Sequence, residues 1–65
     1  MEFELSNGVA VVGDKVAPLN NKPGESWEEG IIEGEFMMGS VSVHVTKSKD
    51  KVVWSCKELC NLKKL

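Results

Sequence analysis

The chain has no arginine and no tyrosine, one histidine, two cysteines and two prolines in 65 residues. Without arginine there is no planar guanidinium fork, and lysine is only a point charge. This counts against specific reading of guanine or phosphate by bidentate contacts. The cysteines, Cys56 and Cys60, lack the tight Cys-x-x-Cys spacing usual for zinc and for thioredoxin-like redox chemistry. His44 is the sole histidine, and no serine or cysteine nucleophile is placed beside it by spacing, so no catalytic constellation stands out. No apolar run approaches the ~18 residues of a membrane span. Met1-Glu2-Phe3-Glu4-Leu5 carries no basic segment and does not resemble a signal peptide, so the expected compartment is the cytoplasm.

What is present is apolar enough to fold. The hydrophobic share is 42%, in the ordinary globular range. A chain this short forms one domain and buries only about 60% of its unfolded surface, so stability is marginal. Charge is unevenly distributed. Residues 1–36 hold Glu2, Glu4, Asp14, Glu25, Glu28, Glu29, Glu33 and Glu35 against Lys15 and Lys22. Residues 37–65 hold Lys47, Lys49, Lys51, Lys57, Lys63 and Lys64 against Asp50 and Glu58. Complementary solvated strands on one small domain account for this pattern.

Strand signals dominate. Phe3 and Leu5 alternate with Glu2 and Glu4, the period of a half-buried strand. Asn7-Gly8 predicts a type I′ hairpin, with Val9–Val12 as the return strand. Lys15-Val16-Ala17 is extended, and Pro18–Ser26 reads as the longest loop. Trp27–Ile32 is the next strand, with Gly30 and Gly34 as bulge or coil points. Phe36–Ser40 reads as a connection, with Met37 and Met38 either contact residues or one core and one exposed. Val41, Val43 and Val45 alternate with Ser42, His44 and Thr46, which predicts a valine core face and an exposed His44. Lys47–Lys51 is a charged turn and Val52–Cys56 a strand. Ser55 and Glu58 have capping-box spacing for one helical turn over Cys56–Asn61. Leu59 and Leu62 are expected to plug one end of the domain, and Leu62–Leu65 to form a short edge strand.

The succession Val12-Gly13-Asp14-Lys15-Val16, a polar loop, Trp27-Glu28-Glu29-Gly30-Ile31-Ile32, Val41–Val45, Val52–Trp54 and Glu58-Leu59-Cys60-Asn61-Leu62 resembles SH3-like small barrels. It is most similar to short bacterial and phage-type members and to Tudor- and KOW-like modules. The resemblance covers roughly residues 9–65. It implies an all-β, SH3-like barrel of five to six short strands with one helical turn before the last strand. Residues 1–8 would add a strand and turn to that single domain over 1–65. It also implies binding rather than catalysis, and a phage or mobile-element origin. The tyrosines of proline-peptide-binding SH3 domains are missing here. Phe3, Trp27, Phe36 and Trp54 are too few, and mostly expected in the core, for a methyl-lysine cage.

The expected function is therefore a small non-enzymatic interaction module that binds another protein, with no cofactor, no metal and no membrane. The alternative is a weak nucleic-acid-binding domain that uses the lysine-rich 47–64 half. A redox or metal-switching use of Cys56 and Cys60 is a third class, but two buried, reduced cysteines are the simpler reading. For the protein-binding case, the loop Pro18–Ser26 and the turn Lys57–Asn61 are expected to flank one groove. Trp27, Asn20, Asn21, Glu25, Met38 and Glu58 are its candidate binding residues. Trp27 is expected to stand partly exposed beside that groove, and Trp54 to be the more buried tryptophan.

Overall fold

The computed structural model describes residues 1–20 and 26–65. Within them seven strands follow in order: β1 (Glu2–Leu5), β2 (Gly8–Val11), β3 (Lys15–Pro18), β4 (Trp27–Met37), β5 (Ser40–Ser48), β6 (Trp54–Glu58) and β7 (Leu62–Lys64). A single 3₁₀ turn, Leu59–Asn61, separates β6 from β7. The fold is all-β, as expected. β1 and β2 form a two-stranded sheet, and the other five form a sheet ordered β6-β5-β4-β3-β7. No helix among the described residues is long and apolar enough to cross a membrane.

The alternation on β5 dictates the core. Val41, Val43 and Val45 are buried, while His44 and Thr46 are exposed. Facing them are Trp27 and Ile32 from β4, Val16 from β3, Leu62 from β7, and Phe3, Leu5 and Ala10 from the hairpin. Leu59 packs against this cluster from the 3₁₀ turn. The strand over 27–32 runs on to Met37 because Gly34, Glu35 and Met37 continue the pairing with β5, with Phe36 at a register shift between the last two. The connection is therefore only Met38-Gly39, between the paired Met37 and Ser40. Gly39 has φ +80°, the conformation that a tight turn asks of its second central residue.

Three local expectations are corrected. The β1–β2 hairpin turns on Ser6-Asn7, with Leu5 opposite Gly8. Among the described residues none other than glycine has positive φ, so a type I′ turn on Asn7-Gly8 does not form. Cys56–Glu58 belong to β6 rather than to a helical turn. Ser55 is buried in that strand, and Glu58 precedes the 3₁₀ turn without capping it by its side chain.

The hairpin is fastened to β7 rather than trailing from the domain. The Ser6 amide and hydroxyl both donate to the Leu62 carbonyl, at 3.1 and 2.6 Å. Asn7 uses its whole side-chain amide on Lys64: Nδ2 donates to the carbonyl at 3.0 Å, and Oδ1 accepts the Lys64 amide at 2.7 Å. On the other side of the hairpin, the Gly13 amide donates to the Ile32 carbonyl at 2.9 Å, and the Ile32 amide donates to Asp14 O at 3.1 Å.

Candidate functional site

The two tryptophans occupy the reverse of their expected places. Trp27 is 0% exposed and Trp54 is 56% exposed. Trp27 opens β4 on the inward face, where Gly30 leaves it room. A β-carbon on Gly30 would lie 3.3 Å from Trp27 Cζ3 and 2.8 Å from the His44 carbonyl oxygen. Trp54 opens β6 directly opposite His44, and cross-strand partners share a face. Its ring is therefore on the outside, and the inward positions of β6 are Ser55 and Lys57.

The other expected binding residues scatter. Asn20 is exposed, and its carbonyl accepts a hydrogen bond from Lys57 Nζ at 2.6 Å. The Leu19 amide donates to the Asn61 carbonyl at 2.8 Å. The first part of the long loop and the segment 57–61 are thus bonded directly to each other, where a groove between them was expected. Asn21 and Glu25 lie outside the described residues. Glu58 is exposed, with its Oε2 3.6 Å from Cys60 Sγ. Met38 is 98% exposed at the apex of the β4–β5 turn, and Met37 is exposed too, so neither methionine fills the core. Cys56 is half-buried and Cys60 exposed, both as free thiols, against the expectation of two buried cysteines. Among the described residues, no three His, Cys, Asp or Glu side chains gather closely enough to hold a metal ion.

The structure instead brings together a group that sequence reasoning assigned to the core or to a loop. Phe36 is 48% exposed. Its ring meets that of Trp54 with centroids 6.1 Å apart and planes inclined at 39°. The two aromatics come from β4 and β6 and meet across β5. Between them the residues are small: Gly34 and Cys56 are the partners of Ser42 on either side. Nothing lies within 4 Å of the point where a Gly34 β-carbon would stand, so the floor between the rings is open. Glu33 falls at the register shift between Ile32 and Gly34. Its Oε1 accepts a long hydrogen bond from Ser42 Oγ at 3.4 Å, which brings a carboxylate onto the strand between the rings. The signal that could have found this face was the phase of β5. Once His44 is outward, the strand register carries its partner Trp54 outward as well.

Three of the six lysines of the second half are engaged within the fold. Lys47 pairs with Glu28 at 3.6 Å and Lys64 with Asp14 at 3.7 Å, which joins the acidic and basic halves as expected. Lys57 is buried against Asn20. Compared with known proteins, the chain matches no family model, no curated protein and no solved structure.

Proposed function

We propose that this chain is a small, non-enzymatic, cytoplasmic interaction module on an SH3-like plan, and that it docks a protein partner on the outward face of β4–β6. The plan is supported by the strand order β6-β5-β4-β3-β7 and by the one 3₁₀ turn before the last strand. The exposed Phe36–Trp54 pair carries the docking surface. Two large rings held outward on neighbouring parts of a rigid sheet offer much apolar area at little cost in side-chain freedom. Adjacent Met37 and Met38 add adaptable contact area. The nucleic-acid alternative has less support. Of the six lysines in 47–64, Lys47, Lys57 and Lys64 are committed to internal partners.

The test is peptide selection by display against the folded protein, followed by variants. Trp54→Ala and Phe36→Ala should each weaken the selected ligands about tenfold. Lys63→Gln, on β7, should leave them unchanged. Ligands that bind both aromatic variants at full strength would remove this face from consideration.

A further inference from the structure

The rows that cross the outward face of β4–β6 hold Glu58 and no lysine. Register places Ile31, His44 and Trp54 in one row, Gly34, Ser42 and Cys56 in the next, and Ser40 and Glu58 in a third. The charges in or beside these rows are Glu58, the Glu33 carboxylate that reaches Ser42, and Lys15, which β3 places beside Ile31 at the other end of that row from Trp54. Lysines that could neutralise them are turned elsewhere: Lys15 to Glu29, Lys47 to Glu28, and Lys57 inward to the Asn20 carbonyl. Lys49 and Lys51 stand off the rows, in the turn that leads into Trp54.

We propose that the occupant of this face is a basic peptide segment, with a lysine or arginine side chain lying over the Phe36–Trp54 pair and its charge taken by Glu33. The inference deepens the docking reading above and rests on it. Aromatic ring faces attract cations within about 6 Å of the centroid, tryptophan most strongly. The ring centroids are 6.1 Å apart, close enough for one guanidinium to touch both. The small residues between them leave depth for its alkyl stem. The bond from Ser42 to Glu33 is long, so the carboxylate gives up little when it turns to a cation. An acidic peptide or a nucleic-acid strand would instead bring negative charge against Glu33 and Glu58.

The experiment titrates the whole chain, isotopically labelled, with four probes at low salt. These are an Arg/Lys-rich nonapeptide, its Glu-substituted counterpart, a neutral aromatic nonapeptide and a short oligothymidylate. The expected result is that only the basic peptide shifts the Trp54 indole N–H and the amides of Phe36, Glu33 and Ser42. Glu33→Gln should weaken it about fivefold, and Trp54→Ala about tenfold, with the melting temperature of both variants close to that of the parent. Lys51→Gln should not weaken it. If the neutral or acidic peptide binds as well through Trp54, the basic partner is overturned and the docking reading survives. If the oligothymidylate binds through Trp54, the peptide partner itself is overturned. If the basic peptide binds with no loss in Trp54→Ala, both this inference and the docking reading fall. If none of the probes shifts the face, the basic partner is overturned, and the selected ligands of the display experiment decide the docking reading separately.

Discussion

Gly30 is the most crowded of the described glycines. It sits at a register shift where β4 pairs with β5, and any β-carbon there would meet the Val43 side chain and the His44 carbonyl. A backbone oxygen cannot swing aside as a side chain can, so Gly30→Ala is expected to force β4 and β5 apart. The domain has little stability to spare, so thermal denaturation should find this variant largely unfolded. The tryptophans give the complementary comparison. Trp27→Ala empties a core position and is expected to cost about 3–5 kcal/mol, which abolishes cooperative unfolding. Trp54→Ala removes a half-exposed ring and should change the melting temperature by only a few degrees. Circular dichroism melts of the two variants side by side would settle the assignment. Equal damage from both would contradict the observed burial.

At the scale of elements, the alternation of β5 was legible because one face is wholly buried and a slip of one residue would invert it. That phase reaches β6 only through the pairing of His44 with Trp54, and β6 carries no phase of its own. Val52-Val53-Trp54 is an apolar run, and an apolar run carries no phase from which to decide which ring faces in. Lys57 misleads for a related reason. A lysine on an inward position is admitted only because a carbonyl 37 residues away in sequence receives its ammonium group, and no local pattern announces such a partner. Asn7 was legible as a turn residue but not as a clasp. Its two bonds to the Lys64 backbone cover part of the β7 edge, a position that sheets commonly protect. Asn7→Ala is expected to lower stability by about 1 kcal/mol. Amide exchange should speed up in β1, β2 and Lys64 while β4 and β5 keep their protection. Uniform acceleration across all strands would mean that the hairpin and the five-stranded sheet open as one unit.

For the molecule as a whole, electrostatics contribute modestly to stability. Among the described residues the ion pairs Lys15–Glu29, Lys47–Glu28 and Lys64–Asp14 have N–O separations of 3.6–3.9 Å and side chains at least 30% exposed. Pairs of this kind are worth roughly 0–1 kcal/mol each and are screened by salt. Raising the salt from low concentration to molar is therefore expected to shift the melting temperature by only a few degrees. The same salt should strongly weaken a basic peptide held at Glu33. Parallel loss of stability and binding would indicate that salt acts through the fold.

The clasp between the hairpin and β7 also sets an order of events for a growing chain. Strands β4, β5 and β6 are neighbours in sequence and in the sheet, and such local pairings form quickly. The bonds from Ser6 and Asn7 span 56 and 57 residues. They cannot form until Leu62 and Lys64 have left the ribosome. Until then Phe3 and Leu5 wait without the edge that fixes their hairpin, and residues made early in this domain are among the last to find their place.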